Sequence, residues 1–442
     1  MKKISCLFVA AFIVLVWFQA CFAQQAVSAI ARTADEKLVV GTTKAFVKDR
    51  GACQISPGNK RIAFQCVSKS LFSRSFYYSI DGTETVKFED VLAGTPLFAP
   101  GDKRLAYCVG EGGKWSVYND EKKEGPYDDI GSVPATFKFA PDGSRLVYAA
   151  AKDGKWSVIS DGAQDRNSYA GIHCITLSAD GKRIAYVAKT ADGKYVVVSD
   201  GAESEKFDMA MTPVFSPDGS KCVFGAKTGD KYSIYINGKS DGAKYDKAGT
   251  LVVFSPDSKR LAIAVEEKGK QTILLDGKPL FGKFDEILKF VFSPDGGSYY
   301  YFAAMGKNFI LMSDGKIYDG YDSVLEAVFS PDGKKLSFSA QKGRDIYLIH
   351  DGREEKLKAE TAIMNMTYSP DGKYFAYFMG EGKTLGESKW CAVVNGSQGK
   401  KYDAIYSLML CDSGKLVFDG NDKIRYFAAF GPNVYRVEET LK

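Results

Sequence analysis

From about residue 50 onwards the apolar positions of this chain fall in short runs, some strictly alternating, as in LSFSA (336–340). No run carries a 3.6-residue period of useful length. Alternation over four to eight residues, bounded by Gly, Pro, Asp and Asn, predicts β-strands and turns. One such unit, FSPDGKKLSFSAQKGRDIYLIHDG (329–352), recurs along the chain in closely similar form. Its turn appears at Pro57, Pro100, Pro141, Ala179, Pro217, Pro256, Pro294, Pro331, Pro370 and, degenerately, Asp412, so ten copies follow one another at spacings of about 37–43 residues.

Each copy resolves into four strands. The first closes on an apolar residue, commonly aromatic (Phe139, Phe215, Phe254, Phe292, Phe329, Tyr368), just before a Ser-Pro-Asp-Gly turn. Pro141-Asp142-Gly143, Pro217-Asp218-Gly219 and Pro331-Asp332-Gly333 are structural in this reading. Pro presets one turn dihedral, Asp bonds nearby backbone, and Gly accepts a positive φ. The second strand follows at once, as in KRIAYVAK (182–189), and a Gly-Lys turn leads to the third. That third strand closes on Asp-Gly or Asn-Gly (Asp161-Gly162, Asn237-Gly238), a strong hairpin signal. The fourth is expected to carry an aromatic-acid pair.

Four antiparallel strands every ~40 residues is the repeat of a propeller blade, because an isolated small sheet leaves both faces wet while a ring of sheets covers them. The expectation is an all-β propeller of about ten blades in residues 50–442, with two smaller propellers in tandem as the alternative. The segment 24–49 contains strand-like residues that could complete a blade.

Residues 1–23 read as a targeting segment: Lys2 and Lys3, an apolar stretch over 4–18, then Ala20-Cys21-Phe22-Ala23. Fifteen apolar residues fall short of the ~20 that a membrane span requires. Export to the periplasm or cell exterior follows as an expectation, cleaved near Ala23 or lipid-modified at Cys21. No later run is long and apolar enough to span. The formal charge of +5 is interspersed along the chain and leaves no basic stripe for nucleic acid. Beyond the first 23 residues stand seven cysteines, none in a CxxC; most fall inside apolar strands and read as small core residues.

With FSPDGKKLSF, FSPDGSKCVF and YSPDGKYFAY in view, the repeats resemble the Ser-Pro-Asp-Gly relatives of WD repeats in the propeller of the TolB-like family. Similar blades occur in prolyl oligopeptidase and dipeptidyl peptidase enzymes. The resemblance spans about residues 50–430 and implies an exported propeller. It implies little about activity, because one fold hosts many functions. The peptidases need a hydrolase domain with a G-x-S-x-G elbow, which this sequence lacks.

Candidate chemistry is sparse. The two histidines, His173 and His350, fall in different strands of different copies, which does not suit a metal lyase of related fold; His173 enters a first strand and so faces the channel. Asp128, Asp208, Asp246, Asp285 and Asp403 follow an aromatic at one repeat position, where they either cap loops between blades or ring a channel mouth towards a partner. Trp115, Trp156 and Trp390 share a position that other copies fill with Tyr, which reads as packing. No catalytic residue, cofactor or metal site is expected. The reading is a non-enzymatic scaffold for a protein or envelope partner, with a channel-based small-ligand or glycan binder, or a lyase-type enzyme, as the alternative.

Overall fold

A computed structural model describes residues 34–40, 50–69, 74–358, 360–382, 388–405, 415–431 and 433–441. The described secondary structure is all strand, arranged in ten antiparallel sheets. Blades 1 to 9 occupy 50–84, 90–127, 129–164, 171–203, 209–240, 247–279, 286–318, 323–356 and 361–398 in chain order. Blade 10 combines the strands within 404–440 with Ala34–Val40 from the other end of the chain.

That N-terminal strand pairs with Asn433–Thr440, setting Ala34 opposite Glu439 and Leu38 opposite Tyr435. Phe427 and Val434 of blade 10 share one apolar cluster with Ile55, Ile62 and Phe64 of blade 1. Asn59 Nδ2 donates to the carbonyls of Lys415 (2.7 Å) and Arg425 (3.0 Å), and Arg425 Nη1 donates to Gly58 O at 2.9 Å. The ten sheets therefore close one ring rather than two: the protein is a ten-bladed β-propeller.

The repeat chemistry explains each blade. In six copies the turn serine donates to its own turn aspartate, as Ser216 Oγ does to Asp218 at 2.6 Å, and accepts the backbone N–H five residues on. The turn closes through Gly143 N to Ala140 O, Gly219 N to Ser216 O and Gly333 N to Ser330 O, at 2.8–2.9 Å. The Asp-Gly hairpins take positive φ at both positions (Asp161 43°, Gly162 83°), the geometry that lets a two-residue turn follow the strand twist. Those aspartates also accept the first N–H of the second strand, as Asp161 does from Leu146 at 2.9 Å.

The core lies between blades. Along each innermost strand, alternate residues serve opposite neighbours: Ile172, Ile175 and Leu177 of blade 4 pack with Val147 and Val158 of blade 3, whereas Cys174 joins Val187, Phe207 and Phe224 towards blade 5. Blade 7 repeats this, with Phe290 and Phe292 turned to blade 6 and Val291 to blade 8. Trp156, Tyr195, Tyr232 and Trp390 open third strands and bridge to Tyr169, Phe207, Tyr245 and Tyr402. The regular outer strands are shorter than the sequence pattern suggests, often two residues (Ala202–Glu203, Lys239–Ser240). The aromatic of the aromatic-acid pair makes only a single bridge, and the acid already belongs to the crossover into the next blade.

Candidate functional site

Strand direction sorts the connections onto two faces. The Ser-Pro-Asp-Gly turns and the Asp-Gly hairpins share one face, the turn face. The hairpins between second and third strands share the other, the crossover face, with the links between blades.

On the crossover face the five sequence-flagged aspartates act as clamps. Asp208 accepts Lys194 Nζ of blade 4 (2.5 Å) and the Gly229 N–H of blade 5 (2.8 Å). Asp246 takes Lys231 and Lys268 N–H, and Asp285 takes Lys270 and Gly306 N–H, likewise at 2.5–2.6 Å. Asp128 joins Lys114 to Asp153 N–H, and Asp403 joins Lys389 to Gly431 N–H. The lysine hydrogen bond holds the carboxyls of Asp128, Asp208, Asp246 and Asp285 below the usual range. These acids come together only as links of the ring, each already neutralised.

The turn face carries a second clamp that the sequence reading missed. Arg61, Arg104, Arg145, Arg183 and Arg260 each reach a turn carbonyl of the following blade (Lys103, Ser144, Lys182, Gly219 and Gly296), at 2.5–3.5 Å. Four of these guanidiniums lie over the last aromatic of that blade's first strand: Phe98, Phe139, Phe215 and Phe292. The signal was available, since KR, SR or KR-like pairs recur directly after the turn.

Both clamps lapse together between blades 8 and 9, alone among the described boundaries. Lys335 stands at the arginine position and turns back to Asp351 of its own blade at 2.6 Å. Thr361 stands where the clamp aspartate would be. In their place His350 stacks on Phe375 of blade 9 (4.1 Å, 11°), and Ser337 Oγ lies 2.9 Å from His350 Nδ1 and 2.7 Å from Tyr368 Oη. This resembles a nucleophile and base on paper. Ser337, however, is fully buried, so no substrate carbonyl can reach it. Burial lowers the His350 pKa and keeps the ring neutral.

The innermost strands of blades 4, 7 and 8 share a bulge at one repeat position, where an extra residue is pushed out of the ladder. His173, Leu288 and Leu325 occupy it, and all three are exposed on the channel wall. Beside them stand Cys174, Lys289 and Glu326. His173 lies 5.4 Å from Tyr195, and burial followed by Lys189 lowers its pKa. Glu326 accepts Met366 N–H of blade 9 at 3.3 Å, while desolvation raises its carboxyl. No group of three or more His, Cys, Asp or Glu among the described residues could hold a metal ion. His173 is thus the one flagged candidate that sits on the channel wall; Lys138, Lys289 and Glu326 there were missed, because a single charge in a strand has no motif.

No family model matches the chain, and no curated protein matches it. Among solved structures, the chain described as "Crystal structure of the eukaryotic initiation factor" aligns with 13% identity over 72% of this chain and 90% of that one, at a TM-score of 0.44. A likeness of that size carries no argument about function.

Proposed function

We propose that the protein is an exported, non-enzymatic scaffold of the TolB-like propeller kind, which takes a protein or cell-envelope partner at the channel mouth on its crossover face. The observation that carries this reading is a division of labour. The recurring acids and arginines are consumed in holding the ring, and what varies and stays exposed lies on the channel wall: Leu288 and Leu325, 46% and 45% exposed, beside Lys289 and Glu326. Exposed apolar side chains rimmed by charge are a usual mark of a contact surface. Export, and lipid attachment at Cys21 where it occurs, rest on the character of residues 1–23.

The test is capture from an envelope extract by the mature protein and by two variants. Leu288→Asp/Leu325→Asp is expected to lose a component that the parent and Asp208→Asn both retain. Equal recovery by all three, or no recovery together with turnover of a glycan or peptide library, would contradict the reading.

A further inference from the structure

Blade 3 breaks the lysine-aspartate pattern of the crossover face. Its third strand opens on Lys155, at the position of the clamp lysines Lys114, Lys194, Lys231, Lys270 and Lys389. The acid that should answer it is missing: Ala170 follows Tyr169 and donates its N–H to Lys189 O, as Asp208 does to Lys227 O one blade on. Lys152 stands directly opposite Lys155 across the hairpin. Other hairpins set opposite charges there, as in Glu111 with Lys114, Glu267 with Lys270 and Lys342 with Asp345. Blade 1 opposes Lys69 and Arg74 but keeps Glu89 at the acid position. Like charges facing one another across a ladder are unfavourable. Neither Lys152 nor Lys155 makes a side-chain hydrogen bond or ion pair among the described residues.

Both lysines line one cleft of about 410 Å³ between blades 2 and 3. Strand register puts its walls on a single face of blade 3: Ala150 lies opposite Ser157, and Ile159 opposite Gln164. Ala150 and Ile159 are buried against blade 2 and give the cleft an apolar floor. Ser157, 3% exposed, accepts Gln164 Nε2 at 3.1 Å and gives its own proton to no described residue. The matching serine of blade 5, Ser233, donates to Ala243 O at 2.9 Å instead. Tyr127 closes the cleft from blade 2. Tyr148 donates to Glu124 at 2.7 Å, so Tyr127 gives its proton to Tyr148 at 2.9 Å and keeps only acceptor lone pairs for the cleft. Asp153 is the one carboxylate in the lining, which leaves two positive charges against one negative.

We infer that this cleft binds a small anion that also carries hydroxyl groups, a sugar acid or a sugar phosphate in size and chemistry. Lys152 and Lys155 supply the counter-charge, Ser157 a buried donor, and Tyr127 and Asp153 acceptors for hydroxyls. A volume of this order suits a single small molecule. An anion between the two lysines removes the repulsion that the missing aspartate leaves. The site is separate from the Leu288–Leu325 surface on blades 7 and 8.

Thermal unfolding of the mature protein, titrated at constant ionic strength with glucuronate, glucose 6-phosphate or glucose, tests it. A saturable rise in Tm of roughly 1–3 °C is expected with at least one of the two anions, and none with glucose. A response to glucuronate alone assigns a carboxylate ligand, and to glucose 6-phosphate alone a phosphoryl one. Lys155→Met should abolish the response, while Lys307→Met, at the matching hairpin of blade 7, keeps it. Ala170→Asp restores the ring's own partner for Lys155, so it should raise the Tm of the unliganded protein and weaken the apparent affinity roughly tenfold. No saturable shift with either anion, an equal shift with glucose, or a response unchanged in Lys155→Met or Ala170→Asp overturns the inference.

Discussion

The boundary between blades 6 and 7 and that between blades 8 and 9 are built on the same repeat and held by different means. At the first, Arg260 reaches the Gly296 and Gly297 carbonyls (3.2 and 2.9 Å) across Phe292, and Asp285 ties Lys270 to Gly306. At the second neither clamp exists. A neutral imidazole stacked on Phe375, one serine-tyrosine contact and a carboxylate on a backbone N–H do the joining. Ser339, fully buried on the same side of blade 8, has no partner for its hydroxyl. The apolar cluster is also larger at the first, where Phe284, Phe290, Phe292 and Tyr301 pack against Ala262, Ala264, Ile273 and Leu275, than at the second, where Ile363, Met366 and Met379 meet Leu348 and Leu357, so packing and polar clamps both favour the first. A ring whose boundaries differ opens first at its least-fastened joint.

The largest effect is expected where backbones touch. A Cβ on Gly225 of blade 5 would lie 2.1 Å from the Ala248 carbonyl oxygen of blade 6, so Gly225→Val should cost more than about 4 kcal/mol in urea unfolding, or prevent folding. Next come paired truncations at one repeat position, which measure the two boundaries on the same scale. Phe290→Ala, facing blade 6, should lose about 3–5 kcal/mol, and Met366→Ala, facing blade 8, nearer about 2. Arg260→Ala should then lose about 1–2 kcal/mol through its carbonyl bonds and its stacking. Lys335→Ala, at the same position of blade 8, should leave the midpoint unmoved. The smallest effect is in pH. His350 has a folded-state pKa below its usual 6.5, so the unfolded chain binds its proton first and stability declines as pH falls below that value. His350→Phe should lessen that decline, leaving the part that His173, also lowered by burial, contributes. The turn carboxyls act lower down: Asp218 and Asp257 are held at about 2 against a usual 3.8 by their serines. Their stabilisation is complete above about pH 4 and is lost between there and about pH 2.

Much of this architecture was legible because turns repeat. Pro-Asp-Gly before a second strand and Asp-Gly after a third each mark a tight turn, and ten copies of that frame, intact or degenerate, at a near-even period leave few folds. Closing ten copies into one ring was a preference until Ala34–Val40 could be set beside Asn433–Thr440. The aspartates after the outer aromatics looked available because a sequence shows an acid without its partner. Asp208 meets Lys194 from 14 residues back and Gly229 from 21 ahead, a distance no local motif spans.

Native-state amide exchange of the mature protein measures the difference between boundaries most directly. Backbone amides on the facing strands of blades 8 and 9, around Val324–Glu326 and Ile363–Met366, are expected to exchange markedly faster than those at the blade 6–7 boundary, around Ala262–Ala264 and Ile287–Phe290, and to slow when the seam is fastened by Lys335→Arg. Equal protection at the two boundaries, or the greatest protection at blades 8 and 9, would contradict the account.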